Sequence, residues 1–191
     1  MKASIVNPMP PLMAADYLKS FVGLRATKLV RYSWWPAEEA AVECNVDRSA
    51  VFSLTAGPLS VQFESGEIMG VASDPAINSV IVWDESARCH ASLFSTLDQD
   101  EELFPISAQD ELYSSAFWRE IVGSVLIELT VLKKRVMSAK EEGVPSELGL
   151  RFVFQNGKSF IASHGLHDGS DDFSVLEEKK ISITELVELE V

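Results

Sequence analysis

Tyr17-Leu-Lys-Ser-Phe-Val-Gly23 and Phe117-Trp-Arg-Glu-Ile-Val-Gly123 carry one pattern: aromatic, bulky apolar, basic, polar, bulky apolar, valine, glycine. A second echo follows each copy. Leu59-Ser-Val-Gln-Phe-Glu-Ser-Gly66 and Leu150-Arg-Phe-Val-Phe-Gln-Asn-Gly157 share a strand-like alternation and a closing glycine. Gly23 and Gly123 lie 100 positions apart and Gly66 and Gly157 lie 91 apart, so the excursion between the echoes is shorter in the second half. Repetition of this kind predicts an α+β fold, predominantly antiparallel β. Two similar helix-plus-β-meander modules would pack through a shared core.

Working outward, Pro10-Pro11 precedes Leu12, Ala15, Leu18 and Val22 at helical spacing, and Gly23 stands where a left-handed cap ends a helix. Leu24–Trp35 reads as a strand. Val42, Cys44 and Val46 alternate with polar residues and predict another, as does Val51–Leu54. A hairpin turns at Ser65-Gly66, Asp74-Pro75 breaks its return strand, and Ser79–Trp83 is a short apolar strand. Between Ser92 and Trp118 there is no Lys or Arg, and acids crowd together. The modules are therefore placed at 11–91 and 110–191 with an acidic connector at 92–109, or as one compact pseudo-symmetric domain.

In the second half the pattern predicts a helix over Ala108–Val122, then a strand alternating Val125, Ile127, Leu129 and Val131. A polar loop covers Met137–Pro145. The Asn156-Gly157 hairpin follows, then a polar loop at His164–Asp172, a strand from Phe173 and a last strand over Ile181–Val191. One feature opposes duplication. Behind the glycines, the first copy places its apolar residues at even positions (Leu24, Ala26, Val30, Tyr32) and the second at odd ones. A slip of one residue reverses every side chain, so one copy requires a bulge or shift. The expected core is Val61, Phe63, Val80, Val82, Val125–Val131, Phe152 and Phe154.

The charge balance is the strongest compositional bias. Sixteen Lys and Arg against 29 Asp and Glu leave −13 at neutral pH, which repels nucleic acid and anionic membranes and attracts basic partners. It also serves plain solubility. No apolar run has the length of a signal peptide or a transmembrane helix, so the expected location is cytoplasmic. Cys44 and Cys89 read as reduced, buried, small apolar residues.

Catalytic motifs are missing. There is no Gly-rich phosphate loop, no H-E-x-x-H, no C-x-x-C and no G-x-S-x-G. His164-Gly-Leu-His167-Asp168, with Asp171 and Asp172 behind, offers donors for a divalent metal, with His90 as an outside ligand. The same residues also read as a solvated turn. Cys44 with a histidine is a formal thiol–imidazole pair with nothing local to orient it. No metal and no cofactor is therefore assigned, and the chain is expected not to be an enzyme. Trp34-Trp35, followed by Glu38 and Glu39, has the character of an interface anchor, or else of a strand end with one ring in the core. Asp98, Asp100, Glu101 and Glu102 form an acidic loop that serves either as interface or as solvated connector.

In its acidity, its antiparallel character, its F/I-V-G entries and its L-x-V/F-x-F-x-x-G hairpins, the chain resembles bacterial immunity proteins. These block a co-encoded toxin by capping its active site. The resemblance implies a non-catalytic protein that meets a basic partner, a cognate toxin, through Trp34, Trp35, Glu38, Glu39, Asp98, Asp100, Glu101, Glu102, Asp168, Asp171 and Asp172. Two alternatives are a metal- or small-ligand-binding protein centred on His164, His167 and Asp168, and a structural protein self-associating through the Ile181–Val191 edge.

Overall fold

The computed structural model describes residues 5–90 and 95–191, with His90 described in its backbone alone. Among these, the strands form two five-stranded antiparallel sheets. In the first sheet, β1 (Ala26–Ser33), β2 (Leu59–Phe63), β3 (Ile68–Asp74) and β4 (Ser79–Asp84) run as a meander, and β5 (Phe104–Ser107) returns to pair with β1. The second sheet repeats this order. β6 (Leu126–Lys134), β7 (Gly149–Phe154), β8 (Ser159–His164) and β9 (Phe173–Glu177) form the meander, and β10 (Leu186–Glu190) pairs with β6. The expected α+β fold with mostly antiparallel sheet is what the chain adopts.

The parity conflict resolves in an unexpected way, because both copies carry the bulge. Register shifts between Ala26 and Lys28 in the first sheet and between Leu126 and Glu128 in the second. Beyond it, Leu29 and Leu129 face the core, and Ile127, expected inside, is 49% exposed. A bulge inverts the inward parity within one strand, so simple alternation fails equally in both.

The glycines ending the helical entries both have φ +93°, with nothing within 4 Å of where a Cβ would stand. This left-handed turn is why glycine closes each pattern. The two turns bond to each other. Gly23 N–H donates to Leu126 O and Gly123 N–H to Ala26 O, each at 2.8 Å, while Leu126 N–H donates to Leu24 O and Ala26 N–H to Ser124 O. The sheets are thus stitched together at Arg25 and Val125 by a reciprocal set of backbone bonds.

A single apolar cluster takes its members from both sheets and from the short helices α1 (Ala15–Lys19) and α5 (Ala116–Ile121). The expected Val61, Phe63, Val80, Val82, Phe152 and Phe154 all belong to it. Trp118, fully buried, stands 5.0 Å from the Phe52 ring and 5.2 Å from Phe160. Side chains of this size contribute about 1.5–3 kcal/mol each on burial.

Three local expectations fail for identifiable reasons. Residues 36–54 form helices, not strands: α2 (Ala37–Glu43), a 3₁₀ turn at Arg48–Ala50, and α3 (Val51–Leu54). Pro36, extended at ψ 145°, precedes the first turn of α2, where Glu38 and Glu39 favour the helix start. The helix expected over Ala108–Val122 shortens to α5. Ala108 completes β5 by donating to Leu29 O, and the Asp110 carboxylate accepts from Leu112 and Tyr113 N–H, a local turn that competes with helix. The loop at Met137–Pro145 contains α6 (Ala139–Glu142), started by a Ser138–Glu141 capping box. Neither described cysteine is buried: Cys44 is half-buried and Cys89, on α4 (Glu85–His90), is exposed. No helix among the described residues is long and apolar enough to cross a membrane.

Candidate functional site

β1 leaves its sheet at Ser33, whose buried hydroxyl accepts from Trp35 N–H at 3.2 Å. Trp34 and Trp35 therefore stand at the strand end, 49% and 39% exposed. The alternative of one indole in the core does not hold. From there the chain turns into α2 and α3, which packs against β9. The loop leading into β9 is folded by its own polar groups. Asp168 Oδ1 accepts Ser170 N–H at 2.9 Å, Ser163 Oγ accepts Leu166 N–H at 3.0 Å, and Gly165 has φ +72°. A Cβ on Gly165 would stand 2.5 Å from Ser170 O, so only glycine closes this loop.

Between the excursion and the loop lies a cleft of about 550 Å³. Trp34, Trp35, Glu43 and Cys44 border it on one side, His167, Asp168 and Asp172 on the other, with Ala56, Phe173 and Ser174 also lining it. Two stretches singled out more than 130 residues apart in the sequence thus meet on one surface.

Behind Phe173 lies Arg31, fully buried. Its Nε donates to Phe52 O at 2.9 Å and its Nη2 to Thr55 O, with a longer contact to Phe173 O at 3.5 Å. Its guanidinium carbon is 4.7 Å from the centre of the Phe173 ring. Among the described residues Nη1 has no partner, and the buried hydroxyls of Thr55 and Ser174 have none either. Burial lowers the pKa of Arg31 to about 9, so the group remains charged at neutral pH. The equivalent residue of the second sheet is Val131, fully buried in the apolar cluster. Sequence reading missed Arg31. Its signal was a lone charge in Leu29–Trp35, two residues beyond the inward-facing Leu29 and hence on the same face.

The remaining candidates are spread out. Glu38 pairs with Arg48 at 3.2 Å, both exposed, and Glu39 is exposed. The acidic loop Asp98, Asp100, Glu101, Glu102 lies on the outer face of the first sheet. There Leu97 and Leu103 cover Val30, Tyr32 and Trp83, and Asp98 Oδ1 accepts the Tyr32 hydroxyl at 2.6 Å. The two histidines part company. His167 is exposed in the cleft, whereas His164 is buried at the end of β8, its Nε2 3.9 Å from Asp171 Oδ1 and its Nδ1 without a partner among the described residues. Among the described residues no three His, Cys, Asp or Glu side chains gather as a metal site; the side chain of His90 lies outside them. Burial and the carboxylates of Asp172 and Glu43 push the Cys44 thiol up, away from the thiolate a nucleophile needs.

What the cleft offers chemically is recognition: two indole faces, three carboxylates on the walls, and a buried guanidinium behind the floor. Indole faces attract cations, and Hydrogen bonds from the Ser170 hydroxyl and backbone hold Asp168 below the usual carboxylate range, so it stays ionised. Comparison of the chain with family models, with curated proteins and with solved structures finds no match.

Proposed function

We propose that the protein is a non-catalytic binding protein for a basic polypeptide partner, of the kind that immunity proteins represent. The cleft between Trp34-Trp35 and Asp168–Asp172 is its docking surface. One observation supports this reading above the others: exposed indoles and carboxylates from distant parts of the chain converge on one concave surface. Arginine or lysine side chains fit such a surface by stacking on indole and pairing with carboxylate. The net charge of −13 adds long-range steering, which speeds encounter more than it tightens the complex. The acidic loop at Asp98–Glu102 is docked on another face and is not part of this surface.

A hexa-arginine peptide serves as probe, followed by tryptophan fluorescence and calorimetry at low salt. Asp168→Asn with Asp172→Asn removes two charges at the cleft, and Glu101→Gln with Glu102→Gln removes two elsewhere. The first pair should weaken binding about tenfold, and the second by no more than the change in overall charge, about twofold. Equal effects of the two pairs reduce the attraction to bulk charge and overturn the cleft as the site.

A further inference from the structure

The cleft does not end at His167. A second hollow of about 340 Å³ adjoins it, and Leu54 and His167 border both. The two follow one strand edge. β9 is the outermost strand of its sheet; Phe173 and Ser174 border the first cleft, and Leu176 and Glu177 border the second. The facing bank of both is Leu54, the last residue of α3.

The lining changes character along this edge. Where the first cleft has indoles and carboxylates, the second has half-buried Ala50, Leu54 and Ile181, with Leu176 nearly covered beside them. Two of its polar groups are already engaged within the protein. Ser53 Oγ accepts Trp118 Nε1–H at 2.8 Å, and Lys180 Nζ lies 2.6 Å from Glu177 Oε1. Exposed Asp47 stands at the rim, so the carboxylates around the hollow outnumber its lysine. The second hollow thus offers carbon to an apolar side chain and no net repulsion to a basic chain.

We infer that a basic segment of the partner lies extended along β9, with an arginine or lysine in the first cleft and a large apolar side chain in the second. The strand itself sets the spacing. From Ser174 to Leu176 is two residues and from Phe173 to Glu177 is four, about 7–14 Å at about 3.4 Å per residue. An extended ligand covers the same distance with an apolar residue two to four positions from its basic one. The inference rests on the first cleft being the docking surface and specifies the sequence that surface selects. Charge draws every basic chain, whereas the second hollow favours those with the apolar residue in place.

The full chain is titrated by calorimetry at low salt with acetyl-Leu-Ser-Arg-Arg-Ser-Leu-amide, which sets a leucine two or three residues from an arginine in either chain direction. Acetyl-Ser-Ser-Arg-Arg-Ser-Ser-amide is the comparison. The leucine peptide should bind about tenfold more tightly, the effect of burying part of one leucine side chain. Ala50→Phe fills the hollow and Ile181→Ser strips part of its wall. Each, checked for fold by circular dichroism, should bring the ratio of the two affinities close to one and leave the serine peptide's affinity unchanged. Asp168→Asn with Asp172→Asn should weaken both peptides alike and preserve the ratio. Equal binding of the two peptides, with both weakened by the aspartate pair, overturns the second hollow and leaves the basic-partner reading standing. A leucine gain that survives both Ala50→Phe and Ile181→Ser also overturns the hollow. Peptides indifferent to the aspartate pair, or binding of neither peptide, overturn both.

Discussion

Arg31→Met tests the account of the buried guanidinium through stability. Burial lowers its pKa from 12.5 to about 9, and each factor of ten is about 1.4 kcal/mol, so the fold disfavours the charged form by about 5 kcal/mol. Methionine of similar length removes that penalty. It also strips the donors from Phe52 O and Thr55 O, at about 1–3 kcal/mol for each stranded carbonyl. The opposing terms, about 5 against about 2–6 kcal/mol, leave the variant between about 3 kcal/mol more stable and about 1 kcal/mol less stable. The variant should therefore unfold within about 3 kcal/mol of the parent in urea, as replaced buried charges often do. Trp118→Ala, a neutral residue buried as completely, should lose about 3–5 kcal/mol in the same assay. A loss above about 3 kcal/mol for Arg31→Met would refute this reasoning and mean that the guanidinium is a net structural brace.

Two further outcomes follow from the geometry. Gly23→Ala and Gly123→Ala should each cost about 1–2 kcal/mol, since both glycines have φ +93° and open space at Cβ; urea midpoints that differ strongly would break the equivalence of the two turns. Burial lowers the pKa of His164 below its ordinary 6.5, opposed by Asp171 and Asp74. The unfolded chain therefore takes up the proton first, and stability present above pH 7 is lost as pH falls through 6.5 toward the folded value. Between pH 7.5 and 5.5 the parent should lose more stability than His164→Gln; parallel losses would remove His164 as the cause.

The repeated glycine entries and hairpins were legible because each is a local device: a left-handed turn, an alternating pair, a tight loop. The bulge was legible only as a contradiction, a parity mismatch that disappears once both strands invert at the same point. Residues 36–54 misled because Val42, Cys44 and Val46 alternate as a strand would, yet the proline and two glutamates before them start a helix. The Trp34-Trp35 and Asp168–Asp172 stretches were visible separately. That they share a cleft depends on α3 packing against β9, a contact across more than 100 residues that no local pattern encodes. Arg31 was hidden for the same reason: its burial comes from the excursion folding over it.

The reciprocal bonds at the two glycine turns bear on how the chain is made. As the polypeptide leaves the ribosome, Gly23 and Ala26 have their amide hydrogens ready long before Ser124 and Leu126 exist to receive them. β5, which borders β1 on its other side, also emerges late. The amino-terminal meander thus remains open along one seam during synthesis, and nascent chains stopped ahead of Leu126 should show weaker amide protection along β1 than the released protein does.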